Sequence, residues 1–235
     1  IACGNCFILK PSEKVPRSSV LLFELLEQTG LPAGVAQLLH GGREAVEGLI
    51  DHPGVVAVSF VGSTHAARQV YARSAAHGKR VQCQGGAKNP VVILPDADLD
   101  QTTQIVADSA FGCAGQRCLA ASLAITVGEA RQPFRASISE AALSRRVGYG
   151  AAPGVQMGPV ISGESRERIS GLIDAGCRAG AHPLVDGRTR QAEGDDEGFF
   201  LCPTVLDQVH PTAEIARTEV FGPVLSLLHA ADLGE

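Results

Sequence analysis

The sequence predicts an α/β fold: a doubly wound parallel sheet over residues 1–85, then a second α/β unit over 86–235. Three observations carry this. Short apolar runs alternate with amphipathic stretches of helical period. The apolar runs are rich in β-branched residues, as in the VVAVSFV run of Val55 to Val61. The alternation is interrupted at Gly85-Gly86 and then restarts. Strand and helix in strict alternation make parallel strands with crossover helices, and ligands then sit at the carboxyl ends of the strands.

The elements follow in order. Cys6 to Leu9 is an apolar strand. Ser18 to Gly30 has apolar residues at 21, 22, 25 and 26, opens on Ser and closes on Gly, and so predicts a helix capped at both ends. Ala36 to Leu39 is a second strand and Arg43 to Asp51 a second helix. Val55 to Val61 is a third strand, His65 to His77 a third helix, and Arg80 to Cys83 a fourth strand. Past the glycine pair come a strand at Val91 to Leu94, a helix from Asp98 to Phe111 capped by the PDADLD run, and a strand at Leu123 to Val127. The stretch from about 186 to 198, DGRTRQAEGDDEG, is polar and glycine-rich and predicts an exposed loop.

The bulk numbers exclude several function classes. The 235 residues are 45% hydrophobic and 19% charged, with a net charge of −5 and a pI near 5.8. That balance offers no basic face to nucleic acid, and the scarcity of aromatics (no Trp, two Tyr) offers no platform for stacking bases. No apolar run approaches the length of a membrane span. Seven scattered cysteines do not form a disulfide framework, which points to a reducing compartment, a bacterial cytoplasm or a mitochondrial matrix. The chain opens on Ile1-Ala2-Cys3-Gly4 and ends on Asp232-Leu233-Gly234-Glu235. Both ends read as cuts within a longer protein.

Four constellations could carry chemistry. Cys118 lies in GQRCLAA; a glycine turn entering an alanine-rich helix would set it near a helix N-terminus, where the dipole and Arg117 favour the nucleophilic thiolate. The bland alternative is a packed core thiol. Lys10-Pro11-Ser12-Glu13 follows the first strand, where a carboxylate can take both hydroxyls of a ribose, though a solvated turn fits as well. Gly62-Ser63-Thr64 opens a helix and suits a phosphate, or is an ordinary cap. Cys3-Gly4-Asn5-Cys6 has no second ligand pair, and the seven His lack ligand spacing, so no metal is expected.

Taken together, GNCFILKPSE, GLPAGVAQLLHG, VSFVGST, QGGAKNPVVILPDADLD, FGCAGQRCLA, MGPVIS and TEVFGPVLS resemble the aldehyde dehydrogenase superfamily, in its order and over almost the whole chain. QCQGGAKN, GQRC and DGRTRQAEGDDEGFFLCPT look like its CoA-acylating methylmalonate/malonate-semialdehyde branch. The resemblance implies an NAD-binding domain over 1–85 and a catalytic domain over 86–235, each incomplete. It implies Cys118 as nucleophile; Lys10, Ser12 and Glu13 on the adenosine ribose with Lys14 beside them; Gly62 and Ser63 at the pyrophosphate; Gly85 at the nicotinamide; and Glu219 on the nicotinamide ribose with Phe221 packed nearby. A carboxylate on the ribose hydroxyls favours NAD over NADP. The parent protein would be a homodimer or homotetramer acting on a small aldehyde.

One departure is informative. Hydrolytic members carry a water-activating Glu two residues before the glycine pair, where this chain has Cys83. A thiol is a poor substitute for a carboxylate base, so CoA is expected as the acyl acceptor. Arg117, beside the nucleophile, could clamp a substrate carboxylate or only tune the thiol. The residues leave three rivals open: a hydrolytic aldehyde dehydrogenase, an inactive fragment serving as a binding module, and a thiol enzyme unrelated to NAD.

Overall fold

A computed structural model describes residues 1–193 and 198–235. It divides into two compact units, Ile1–Gly86 and Ala87–Glu235.

The first unit runs β1 (Phe7–Leu9), α1 (Arg17–Gln28), β2 (Ala36–Leu38), α2 (Arg43–Asp51), β3 (Ala57–Val61), α3 (Thr64–Ala76) and β4 (Arg80–Gln84). The strands form two parallel pairs. β1 lies on β2 from Phe7↔Ala36 to Leu9↔Leu38, and β3 lies on β4 from Ala57↔Arg80 to Val61↔Gln84. α1 corrects the expected serine cap: the helix is entered through Pro16, with no side-chain cap, because proline's fixed φ already suits a helical start. Its other end behaves as expected, with Gly30 at φ +79°. α3 is capped by Ser63, whose Oγ accepts the Ala66 N–H at 3.3 Å. The side chains of Ile50, Ala67 and Val70 are buried between α2, α3 and the strands. An Arg73 fork on Asp51, at 2.8 and 2.6 Å, ties α3 to α2. No residue of α1 is buried, so Leu21, Leu22 and Leu25 stay exposed.

The second unit runs β5 (Asn89–Ile93), α4 (Leu99–Phe111), β6 (Ala121–Val127), α5 (Arg131–Ser144), α6 (Gly163–Arg178), β7 (His182–Val185), β8 (Thr204–Asp207), α7 (Glu214–Arg217) and β9 (Val224–Ala230). Its strand order is β5-β6-β9-β8-β7, parallel except for β7 at one edge. β6 (ASLAITV) and β9 (VLSLLHA) are nearly continuous apolar runs, as parallel strands covered on both faces require. Phe111, Phe134, Ile138, Ile169, Ile173, Leu206 and Leu225 form the centre of one core. Asp98 caps α4 through the Gln101 N–H at 2.9 Å.

A polar cluster crosses this sheet. His229 of β9 bridges the buried Asp207 carboxylate of β8, at 2.6 Å, and the Thr126 hydroxyl of β6, at 2.6 Å. Arg135 of α5 approaches the other Asp207 oxygen at 2.7 Å. Burial pushes the Asp207 carboxyl upward, but hydrogen bonds from His229 and the Gln208 backbone, with the charge of Arg135, outweigh it and hold the group below its ordinary value.

The 186–198 stretch is not wholly an exposed loop. Gly187 is buried so tightly that a Cβ would fall 1.8 Å from the Cys202 carbonyl oxygen. Arg188 forks onto Asp186, at 2.9 and 2.7 Å, and also pairs with Asp174 of α6. Charged residues satisfied by one another can lie against a core, which polarity alone does not reveal. Residues 194–197 of that stretch lie outside the described residues.

Candidate active site

The candidate nucleophile stands where α4 gives way to β6. α4 ends at the fully buried Phe111, and Gly112–Gly115 then make one tight turn. Cys113 and Ala114 in that turn hold φ of +51° and +52°. Left-handed backbone costs a non-glycine residue about 1–2 kcal/mol, so the surroundings must impose it. Gly115 shows how: at φ +66°, its missing Cβ would sit 2.1 Å from the Gly222 carbonyl oxygen. The FGCAGQRC and EVFGPV runs therefore meet backbone to backbone, at a place only glycine permits.

Cys118 is exposed and lies in the turn between this segment and β6. This corrects the expected helix N-terminus. The alanine-rich run after it is recruited as the β6 strand, between β5 and β9, because sheet burial overrides alanine's helix preference. Three side chains set the turn. The Asn89 amide donates to the carbonyls of Cys118, at 2.8 Å, and Ala120, at 3.0 Å. Gln116 accepts the Ile161 N–H at 2.8 Å and donates to Pro159 at 3.4 Å, joining the MGPVIS run to the cysteine turn. Arg117 turns inward: Nη2 donates to the carbonyls of Asp108, at 2.8 Å, and Ser109, at 3.3 Å, near the end of α4. Its Nε is buried with no partner among the described residues.

A cleft beside the turn is lined by Asn89, Arg117, Ala120, Ser122, Glu219 and Phe221, among others. Arg168 of α6 holds its far loop through the Glu219 and Val220 carbonyls, the latter at 2.5 Å. Phe221 is 40% exposed at φ +49°. Lys88 presents a buried ammonium, and burial pushes its pKa down to about 8 against the opposing pull of Glu219.

In the first unit, two further candidate groups follow parallel strands at their carboxyl ends. Lys10, directly after β1, donates to the Gly41 carbonyl at 2.7 Å and to Glu13 at 3.3 Å. Its own backbone N–H, then the Lys10 hydrogen bond and charge, hold the exposed Glu13 carboxyl below its usual value. Ser12 Oγ accepts the Lys14 N–H at 3.3 Å, and Lys14 is exposed. Gly62 and Ser63 follow β3, with Ser63 engaged as the α3 cap. Gly85 packs on α3, where a Cβ would come within 3.0 Å of Thr64. An ionised carboxylate can accept from the hydroxyls of a ribose, and amides at a helix start can donate to a pyrophosphate. β4 closes on Cys83, partly buried with its pKa raised by desolvation, and Gln84, exposed.

Sequence reasoning left Asn89, Gln116, Arg168 and Lys88 without roles. Lys88 and Asn89 lie inside the QGGAKN run, so the signal was present. The partners that Gln116 and Arg168 reach across the fold are 43 to 52 residues away. Among the described residues, no group of three or more His, Cys, Asp or Glu is placed to hold a metal ion, and no helix is long and apolar enough to cross a membrane.

The chain belongs to the aldehyde dehydrogenase family, whose pattern it matches over residues 1–235. Two curated relatives are a malonate-semialdehyde dehydrogenase of Pseudomonas aeruginosa, 44% identical over 236 residues, and the human mitochondrial methylmalonate-semialdehyde/malonate-semialdehyde dehydrogenase [acylating], 43% identical over 235. Both cover 100% of this chain, which spans 48% and 44% of their lengths. A crystal structure from Sinorhizobium meliloti, described as a methylmalonate-semialdehyde dehydrogenase complexed with NAD, superposes with a TM-score of 0.96 at 44% identity, covering 100% of this chain and 48% of that one.

Proposed function

We propose that this chain carries the cysteine turn and the NAD-binding elements of a CoA-acylating semialdehyde dehydrogenase. The observation that carries it is the exposed Cys118, set by Asn89 and Gln116 beside a cleft that also holds Arg117, Glu219 and Phe221. The Cys118 sulfur adds to the aldehyde carbon and forms a thiohemiacetal, the usual work of an activated thiol. Bound NAD supplies the hydride acceptor. In the first unit Glu13, with Lys10, would hold the adenosine ribose, Gly62, Ser63 and the first amides of α3 the pyrophosphate, and Gly85 would border the nicotinamide; in the second unit Glu219 would hold the nicotinamide ribose, with Phe221 nearby.

The thioester left on Cys118 then meets an acyl acceptor. Neither Cys83 nor Gln84, at the end of β4, is a carboxylate able to activate water, and burial raises the Cys83 thiol further. CoA brings its own sulfur: it attacks the thioester carbon and expels the Cys118 thiolate, giving acyl-CoA. A malonate-type substrate loses carbon dioxide in the course of the reaction, yielding acetyl- or propionyl-CoA. The Arg117 Nε, buried with no partner among the described residues, is a donor for the substrate carboxylate. Two relatives bear the names of this branch.

Product analysis tests the reading. With malonate or methylmalonate semialdehyde and NAD, acyl-CoA forms only when CoA is present, and Cys118→Ala abolishes it. A free acid formed equally fast without CoA sinks the acylating reading in favour of a hydrolytic one. NAD titration with no binding, together with slow labelling of Cys118, favours an inactive module.

A further inference from the structure

Glu219 to Gly222 lie on the connection from α7 to β9 and line the cleft beside the cysteine turn. Phe221, inside this loop, holds φ +49°. A non-glycine residue keeps such backbone only where its surroundings impose it. The sheet holds the downstream end: the Thr204 N–H donates to the Pro223 carbonyl and the Val224 N–H to the Gly222 carbonyl, each at 2.8 Å. The upstream end is held by a side chain. Arg168 Nη1 donates to the Glu219 carbonyl at 3.4 Å and Nη2 to the carbonyl of the buried Val220 at 2.5 Å. Among the described residues no other donor reaches either carbonyl.

Arg168 is exposed on α6, where local sequence reads it as one more solvated charge. Its planar fork nevertheless takes two consecutive carbonyls, which a lysine ammonium does less well. The next residue, the fully buried Ile169, packs beneath the other end of the loop: a Cβ on Gly222 would fall 2.5 Å from Ile169 Cδ1. Two adjacent residues of one helix therefore fix the loop at both ends. The Glu219 carboxylate has no hydrogen bond or ion pair of its own among the described residues, so its place in the cleft follows from its backbone.

We propose that Arg168 is a positioning residue for Glu219: by holding the Glu219 and Val220 carbonyls it sets where the carboxylate stands in the cleft. The role of Glu219 toward the nicotinamide ribose rests on the function proposed above; the hold of Arg168 on the loop does not. A group displaced by about an ångström loses most of its effect on a bound ligand, so NAD affinity depends on Arg168 through Glu219.

Two measurements on the full chain test this. A glutamyl endopeptidase cuts after Glu, and the Glu219–Val220 peptide carries one of the carbonyls that Arg168 holds. In Arg168→Met that bond is cut several-fold faster, as mapped by mass spectrometry, while cutting at the exposed Glu24 and Glu140 is unchanged; Arg168→Lys, with one donor group left, falls between. NAD titration by calorimetry then compares wild type, Arg168→Met, Glu219→Ala and the double variant. Each single variant binds several-fold more weakly, and the double variant binds no more weakly than Glu219→Ala, because the arginine acts through the carboxylate. An unchanged rate at Glu219, or an equal acceleration at all three glutamates, overturns the local hold. Wild-type NAD affinity in Arg168→Met, or losses that multiply in the double variant, overturns the action through Glu219. A wild-type chain that binds no NAD overturns the cofactor reading, while cutting at Glu219 still decides the hold.

Discussion

The Asn89 side-chain amide donates a 2.8 Å hydrogen bond to the carbonyl of Cys118, so the first residue of β5 sets the candidate nucleophile 29 residues further along the chain. The same amide reaches Ala120 at 3.0 Å, and the Asn89 N–H donates to Ser122 Oγ at 3.0 Å. One residue thereby spans the whole entry into β6. Replacing it with Ala leaves two carbonyls without that donor, at a cost of about 1–3 kcal/mol. A nucleophile displaced by about an ångström costs on the order of 100-fold in rate. Urea unfolding of Asn89→Ala is expected to show the stability loss, and the Cys118-dependent rate to fall further than unfolding accounts for. A rate unchanged in the folded variant would show that the hydrogen bond does not position the thiol.

Gly115→Ala is expected to be among the most damaging single-methyl changes in the second unit. The new Cβ would lie 2.1 Å from the Gly222 carbonyl and the backbone would keep φ +66°. Left-handed strain adds about 1–2 kcal/mol and overpacking about 1–3 kcal/mol. Gly150→Ala is the control, since nothing lies within 4 Å of its Cβ position. Denaturant midpoints should separate the two variants clearly; equal midpoints would mean that the two loops can part without cost.

Arg117→Lys separates its two roles. Lysine can still reach the two α4 carbonyls that Arg117 holds through Nη2 alone, but it lacks an Nε–H for a carboxylate. If Arg117 clamps the substrate, KM for a semialdehyde acid rises about tenfold or more, by the loss of one charge-assisted bond, while KM for a neutral aldehyde of similar size is nearly unchanged. An equal effect on both aldehydes assigns Arg117 to holding the turn alone.

Asp207 predicts the acid limb of stability. Its folded pKa is lowered, so its contribution is present above the unfolded value, about 3.9, and is lost as pH falls through the folded value. Stability should therefore drop below about pH 4, and urea midpoints across that range measure it. Asp207→Ala removes the acceptor of His229 and Arg135 and is expected to cost about 3 kcal/mol or more at neutral pH. It should also flatten the acid slope, and an unchanged slope would assign acid lability to other carboxylates.

Much of this was legible in the residues. Ser63 and Asp98 cap the helices they precede, because a short oxygen side chain before an amphipathic run satisfies the first free amides wherever it occurs. AVSFV, the greater part of the VVAVSFV run, and LAITV became strands because β-branched residues suit a pleated, covered surface. The motif order pointed to the family to which the chain belongs. Two local readings gave way to packing. Pro16 rather than Ser18 opens α1, and the alanines after Cys118 enter a sheet rather than a helix.

By itself the sequence determined the alternation of strand and helix, the α/β class, and which cysteine of seven stands in the family's nucleophile run, since these depend on residue type and spacing along the chain. Only the tertiary structure decided what surrounds that cysteine. Asn89 from one strand, Pro159 and Ile161 from a distant loop, and the Gly115–Gly222 backbone contact converge on its turn. Hydrogen bonds and desolvation act over a few ångströms in space, and residues 29 to 107 positions apart acquire that proximity only when β5, β6 and β9 pair.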